Sequence, residues 1–503
     1  MFIDLRQLNG DEHFAADVCI VGAGAAGITL ALELEAAGHS VLLAESGGFE
    51  YEQATQALYV GEESGTLIDE QSQYLGATRL RHFGGTTNHW NGWCRPLDRE
   101  DFGARPWVGE VGWPLDYDTL APYYARASPW LEISPFDYVQ AEAGGARKLF
   151  AGKDEAFETN FFHLSPPTRF GSRYRERLAN SSKVRVLLHA NLRTLATSPE
   201  ARHVESAELV RLDGRAFLVS ARQFVLAVGA IENARLLLAN RGVQQHGLGN
   251  QHDLVGRYFM DHPTLRVGYV ALPYWRRLMA KSYERNYVRQ RGNSVCGIVR
   301  PRAATQARRE LLNSVIVFRP LKGAQRRTLA ADIAAFTSAQ IELAGHAPPK
   351  PGTTYYGWVV LQGEQSPNPA SRVRLSSELD VLGMPRTQLE WRLREHDGDS
   401  LIATARLLAE RLGAASRGRL RILANENDLW ERTSWSFHHL GTTRMSEDPK
   451  LGVVDPHCRL HGTDNLHLAG SSVFPTSGAS NPTYTLVALA LRLGDRLHHL
   501  LAG

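Results

Sequence analysis

The chain of 503 residues is poor in several things that would announce a function. It has four cysteines, Cys19, Cys94, Cys296 and Cys458, and no two stand in CxxC spacing. That excludes a cysteine-based zinc site and predicts reduced thiols in a cytoplasmic protein. Charge of either sign is in small excess, 56 Lys+Arg against 53 Asp+Glu, a net of +3. No basic footprint for nucleic acid follows from that. The strongest apolar run near the front, residues 18–34, is broken by glycines and by Glu33. It falls short of the ~20 residues that cross a bilayer. The opening MFIDLRQLNGDEHF has early acids and no apolar leader core. Neither GxSxG nor HExxH occurs, so the nucleophile-elbow hydrolases and the zinc proteases drop out. There is no internal repeat. What remains is an ordinary globular composition, 43% hydrophobic and 22% charged, with 45 Gly and 10 Trp.

Residues 17–46, DVCIVGAGAAGITLALELEAAGHSVLLAES, carry the first positive signal. The apolar run 18–21 reads as a buried parallel strand. Gly22, Gly24 and Gly27 follow in GxGxxG spacing, for a tight turn, for backbone approach to a pyrophosphate and for close helix–strand packing. A helix over 25–37 offers its N–H groups and dipole to the phosphates. A second strand, 41–44, ends at Glu45, 18 residues beyond Gly27. A carboxylate there accepts from both ribose hydroxyls of an adenosine and repels a 2′-phosphate. Residues 224–239, FVLAVGAIENARLLLA, read as a further strand and helix of the same sheet. These features predict a dinucleotide site without deciding between FAD and NAD.

The loop GATRLRHFGGTTNHWNGWCRPLDR, 76–99, is dense in Gly, Thr, Asn, His and Trp. Gly84 and Gly85 permit close backbone approach, and His89, Trp90 and Asn91 set an imidazole beside an aromatic surface and an amide. Asp118 reads as the N-cap of a short helix. Residues 137–158 read as peripheral. The arginine run of 166–178 reads as a solvated helix face. Runs 184–188, 204–211 and 216–219 predict a small antiparallel insert. Asp261-His262-Pro263 reads as a sharp turn. Residues 329–343 carry a soft amphipathic helix, a surface helix or a cap over an entrance. Runs 355–361, 372–375 and 388–393 predict one antiparallel sheet open on one face, followed by a helix over 399–412.

At the C-terminus, SWSFHHLGTTRMS (434–446) precedes a short strand at 466–469, Gly470, and ASNPTYTL (479–486). Ser480 or Asn481 takes an N-cap position, Pro482 the first helical position and Thr483 the next. The positive end of that helix suits a group that becomes negative on reduction.

Together these motifs resemble the glucose-methanol-choline (GMC) oxidoreductases, closest to the branch with pyranose 2-oxidase and bacterial fructose and gluconate dehydrogenases. HxxGT at His438, NPT at Asn481 and the N-terminal glycines carry the resemblance. It implies an α/β fold: a Rossmann-like FAD-binding domain (1–110, 180–262 and 430–503) and a substrate domain on an antiparallel sheet flanked by helices (111–179 and 263–429). It implies FAD, and oxidation of an alcohol to a carbonyl by hydride transfer to flavin N5, the donor a sugar or glycoside secondary hydroxyl. The alternatives are a non-sugar substrate of secondary metabolism on the same scaffold, or a non-enzymatic FAD-binding protein. His89 matches the histidine that pyranose oxidases join covalently to the flavin, although Asn88 and Asn91 depart from the usual flanks. The acceptor is O2, a quinone or another oxidant, and no nucleic-acid or integral membrane partner is implied. A homo-oligomer or a small accessory subunit stays open.

An alcohol proton is too weakly acidic to leave unaided, so a base must reach the hydroxyl. His438 is assigned that role, with His439 the rival, and Asn481 is assigned the hydrogen bond to the developing alkoxide. No metal is expected, since HHxG is not a ligand spacing. Tyr355, Tyr356, Glu364, Gln365 and Trp391 are the candidates for reading the substrate.

Overall fold

A computed structural model describes residues 1–10, 12–69, 72–109, 112–134, 149–150, 156–272, 283, 288–290, 293–329, 331–335, 355–414 and 418–503. Much of the peripheral stretch 137–158, and most of the amphipathic stretch 329–343, lie outside them. Residues 331–335 are helical.

Two large sheets organise the molecule. The first has strands Phe2–Asp4, Val184–Leu188, Val41–Ala44, His13–Val21, Ala216–Leu226, Val204–Val210 and Asn191–Thr197 in that spatial order, with Leu466–Leu468 also paired to Ala216–Leu226. Its centre is parallel: Val18 faces Val41, and Phe224 faces Cys19 on one side and Leu466 on the other. Helices Ala25–Ala36 and Pro482–Ala502 pack together, with Gly494 standing beside Leu30 and Glu33. The arrangement is the α/β, Rossmann-like architecture that the glycine motif implies.

Two expectations for this sheet change. Val184–Leu188 is not in an antiparallel insert; it lies parallel between Phe2–Asp4 and Val41–Ala44. The runs 216–219 and 224–226 belong to one strand, Ala216–Leu226. Its first half pairs antiparallel with Val204–Val210, and its second half pairs parallel with Leu466–Leu468 on the same edge. The surroundings change along its length, from half-covered to fully buried, so the apolar pattern changes too.

The second sheet is antiparallel. Strands Arg419–Ile422, Thr264–Leu272, Tyr355–Gly363, Ser314–Pro320, Asn293–Pro301, Phe157–Leu164 and Trp93–Cys94 run in that order, with Val288–Gln290 and Thr433–Ser434 at its margins. Helix Glu395–Ala414 covers one face, where Leu401, Ile402, Ala405 and Leu408 meet Leu265, Ile316, Val359 and Leu361. The alternate residues Thr264, Val315, Val317, Val360 and Gln362 face a cavity. The uncovered face expected from alternation is therefore the wall of that cavity.

The hairpin Arg372–Leu379 and Pro385–Trp391 is not part of this sheet. It forms a small third sheet with Glu62–Gly65. Val373, Leu389 and Trp391 join the core of the nucleotide-binding unit, as do Leu120, Tyr124 and Trp130 from helix Tyr117–Ala127 and its continuation. Both segments carry numbers expected for the substrate domain, but their apolar faces pack on the other core. The four cysteines are buried and free. No helix among the described residues is long and apolar enough to cross a membrane.

Candidate active site

A cavity of about 520 Å³ runs between the two large sheets. One end is made by the N-terminal glycines. Gly22 has φ +106, a left-handed value that a side chain would strain, and its N–H donates to Ala44 O at 2.7 Å. At Gly27 a Cβ would stand 1.9 Å from Gly22 O, so the helix can approach the strand only without one. Gly24 and Gly470 lack any atom within 4 Å of where a Cβ would be, and both line the cavity. Space is left there against bare backbone, as a pyrophosphate and a flat ring require. Gly24 is the N-cap of helix Ala25–Ala36 and supplies no side-chain cap, so the first-turn N–H groups face the cavity end. Glu45 is buried; it accepts from Ala23 N at 3.0 Å and Gly47 N at 3.1 Å and lines the cavity. Bare-backbone space, helix N-terminus and buried acid together fit an adenine dinucleotide.

The middle of the cavity carries the loop at 84–91. Gly84 packs rather than lines: its N–H donates to Ala23 O at 2.9 Å and its Cβ position is 2.7 Å from Gly171 N. Gly85, His89, Trp90 and Asn91 do line the cavity. Nε2 of His89 is buried with no hydrogen-bond partner among the described residues, and burial, first, with Arg169 and His82, lowers its pKa. The loop is held by Arg169, whose Nη1 donates to Thr87 O at 2.7 Å and Trp90 O at 2.8 Å. The sequence reading put that arginine on a solvated face, because a guanidinium that serves backbone carbonyls 82 residues away leaves no local pattern.

At the far end, His438, His439, Asn481, Pro482, Thr483 and Gly470 meet. Asn481 Nδ2 lies 3.0 Å from His438 Nε2. Asn481 is the N-cap of helix Pro482–Ala502, yet its side chain makes no cap bond. It turns to His438 and to Gln362 Nε2, 3.2 Å from its Oδ1, and forgoes a cap typically worth about 1 kcal/mol. A broken local rule of this kind is expected at a functional site.

His438 is positioned by residues that the sequence reading treated only as a turn. Asp261 is fully buried and accepts from the N–H of His438 at 2.9 Å, of Phe437 at 3.1 Å and of Ser436 at 3.3 Å, and from Tyr74 OH at 2.7 Å. These bonds hold Phe437 at φ +64, a strained value for an aromatic residue. His262, also fully buried, places Nδ1 2.8 Å from His438 Nδ1 and Nε2 2.9 Å from Gly478 O. Asp261, His262 and His438 bring ligand-type atoms within 4.8 Å of one another. Those atoms make the hydrogen bonds just described. Burial, reinforced by His262 and His439, holds the His438 pKa well below 6.5. His439 is shifted the same way by burial, Arg79 and His89; its Nε2 is buried without a partner among the described residues.

None of the five substrate candidates lines the cavity. Glu364 is buried in a bidentate pair with Arg105, 2.7 and 2.8 Å, and also accepts from Asn313 N and Gly478 N. Gln365 accepts from Asp261 N at 3.0 Å and Trp391 Nε1 at 2.9 Å, so both serve to hold Asp261. Tyr355 faces the core under helix Glu395–Ala414, and Tyr356 packs beside Tyr269 and Ile333. Alternation along a strand identifies two faces but not which one meets a ligand. The cavity wall is instead Trp93, Phe162, Val315, Val317 and Val360, with Thr264 and Gln362 as polar points and Arg319 as a cation.

Comparison with known proteins agrees with this fold. The profile of the GMC oxidoreductase family matches residues 367–490. The chain is 24% identical to the fructose dehydrogenase large subunit of Gluconobacter japonicus, over 97% of this chain and 98% of that one. It is likewise 24% identical to 2-methyl-1,2-propanediol dehydrogenase of Mycolicibacterium austroafricanum, over 95% and 94%. Among solved structures, formate oxidase of Aspergillus oryzae shares the fold, with a TM-score of 0.59 at 18% identity over 98% and 99% of the two chains.

Proposed function

We propose that the chain is a GMC oxidoreductase, an FAD-dependent enzyme acting on CH–OH donors, and that it oxidises an alcohol on a largely apolar substrate, with His438 as base. The observation that carries this reading is the pairing of His438 Nε2 with Asn481 Nδ2, 3.0 Å apart, in the same cavity as the Gly22/Gly24/Glu45 cradle. FAD, when bound, supplies the hydride acceptor. An alcohol oxygen within hydrogen-bond reach of both nitrogens gives its proton to Nε2 and accepts a hydrogen bond from Nδ2. The base strips the proton as the C–H bond weakens, and the amide holds the oxygen while it carries negative charge. The low pKa of His438 keeps it neutral, and so able to accept, at neutral pH.

The remaining wall of the cavity supports a reading of the substrate class. A free sugar presents hydroxyls on every side and asks for many polar partners. Trp93, Phe162, Val315, Val317 and Val360 offer none but Trp93's indole N–H, and the polar points of the same wall are few: Thr264, Gln362 and Arg319. An apolar or aryl alcohol, or a glycoside entering by its aglycone, suits this wall better than a free sugar, within the sugar-or-glycoside donor and the non-sugar alternative expected from the sequence. The dehydrogenase acting on 2-methyl-1,2-propanediol supports a non-sugar donor on this scaffold.

His89 is the residue to examine for a covalent flavin link, because its neutral, unpartnered Nε2 borders the cavity. Acid precipitation of wild type and His89→Ala separates bound from released flavin. The function itself is tested by an anaerobic panel of apolar alcohols, glycosides and free sugars, watching flavin bleaching, followed by reoxidation with O2 or quinones. Bleaching by apolar alcohols is expected; bleaching by no alcohol at all refutes the reading.

A further inference from the structure

The hydrogen bonds around His438 can be followed outward in both directions until each chain ends on a backbone carbonyl, and each end fixes where the protons lie. A carbonyl oxygen only accepts. His262 Nε2, 2.9 Å from Gly478 O, therefore carries a proton. Burial disfavours a charge on this ring, so the neutral imidazole leaves its Nδ1 as an acceptor. His438 Nδ1, 2.8 Å away, must then be the donor, and its Nε2 carries the lone pair. From the other side, Gln362 Nε2 lies 3.1 Å from Ala479 O and 3.2 Å from Asn481 Oδ1. An NH2 group has two hydrogens and can donate to both, which makes Oδ1 of Asn481 an acceptor and turns its Nδ2 to His438 as a donor. The second chain assigns the same lone pair to His438 Nε2, independently of the first.

Resting on the alcohol-oxidation reading above, we propose that His262 is a positioning residue: it holds His438 in the tautomer with the proton on Nδ1, leaving Nε2 aimed at the substrate hydroxyl. A free imidazole ring has no such obligation. The usual partner for this task is a carboxylate, and one is nearby, but Asp261 spends its oxygens on three loop N–H groups, on the His262 N–H at 2.7 Å and on Tyr74. A neutral ring thus replaces a charged orienter. It fixes the tautomer without raising the basicity of His438 as a carboxylate would. When Nε2 takes the proton of the alcohol, the Nδ1–H of the resulting cation already has an acceptor. The proton has no exit along this line, because the next group after His262 is a carbonyl. The carbonyl is itself anchored: Gly478 N donates to Glu364 Oε1 at 3.2 Å, and a Cβ at Gly478 would meet Asp101 at 2.8 Å.

The test uses His262→Phe, which keeps a ring but has no acceptor, and His262→Asn, whose Oδ1 can stand where Nδ1 was. Two measurements are needed. The first is a ¹H–¹⁵N spectrum of histidine-labelled protein, assigned with His438→Ala, which reports the protonated nitrogen of His438 without any substrate. The second is stopped-flow flavin reduction of the FAD-loaded enzymes at saturating alcohol across pH. His262→Phe in an Asn481→Ala background, where no amide donates to Nε2, should lose the Nδ1–H signature that Asn481→Ala alone keeps, and His262→Phe by itself should slow reduction by about 10²-fold, the low end of what a general base contributes, with substrate Kd little changed. His262→Asn should keep the signature and most of the rate. If the His262→Phe/Asn481→Ala protein keeps the Nδ1–H tautomer, or His262→Phe keeps the wild-type rate, the positioning role is refuted. Failure of the alcohol reading looks different: there His438→Ala itself reduces as fast as wild type.

Discussion

The two ends of the cavity are built by opposite means. The dinucleotide end comes from one continuous stretch, residues 18–47, and works mainly through backbone: glycines without side chains, helix N–H groups and a single acid. The reactive end comes from four separated places, 261–262, 362, 438 and 478–481, and works mainly through side chains held by one another. A backbone site tolerates change everywhere except where a Cβ has no room. A side-chain site tolerates changes that preserve each donor and acceptor. The predictions below probe that contrast.

The largest effect is expected at the backbone end. Gly27→Ala places a methyl 1.9 Å from a backbone oxygen that cannot move without shifting the strand. The protein should fail to take up FAD or to accumulate folded, measured by flavin absorbance and thermal melting. A yellow, normally stable Gly27→Ala protein would dissolve the contrast. His438→Ala should keep FAD and fold but reduce its flavin 10²–10⁴-fold more slowly, about what a general base contributes. Under stopped-flow, His439→Ala should fall far less. If the two histidines exchange behaviour, the base lies one residue further on. Asn481→Ala should cost about 10²-fold, as one transition-state donor is lost while the base remains.

Glu364→Ala separates support from contact. It strips buried Arg105 of its bidentate partner and leaves it only Asp101 at 3.4 Å, a loss of up to about 3–5 kcal/mol. A lower Tm with an unchanged KM is expected, whereas a raised KM at unchanged Tm would restore Glu364 as a substrate residue. The smallest effect concerns pH. The base must be unprotonated, and its pKa is held well below 6.5 by burial. The unprotonated fraction rises with pH through that pKa and then levels off. Flavin reduction should therefore be flat through neutrality and decline only on the acid side. A limb centred near 7 would contradict the desolvation of His438.

Legibility followed the same division. The glycines, Glu45 and both catalytic candidates were readable because each motif is contiguous: GxGxxG before a helix, HxxGT, and NPT at a helix start. His262 stood in the sequence only as part of a turn, and Gln362 as one polar position on a strand. Arg169 looked solvated, and Glu364 and Gln365 looked like ligand-readers. No local pattern distinguishes a polar side chain that meets a substrate from one that meets a buried partner.

By itself, then, the sequence determined the strand–glycine–helix–acid unit and the α/β class, and it offered His438 and Asn481 as the candidates for the chemistry. These follow from periodicity and from residues close in the chain, where covalent geometry and local hydrogen bonds limit the outcomes. Tertiary structure alone decided three things. It sent the hairpin at residues 372–391 to the nucleotide-binding core. It turned the Val315/Val317/Val360 face, not the tyrosines, to the cavity. It closed the hydrogen-bond chain from Gly478 through His262, His438, Asn481 and Gln362 to Ala479. Each of these depends on partners that are, but for His438 and Asn481, more than 100 residues apart in sequence, or on which of two equivalent faces finds cover, and a buried donor or acceptor is satisfied by whatever the packed chain brings within about 3 Å of it.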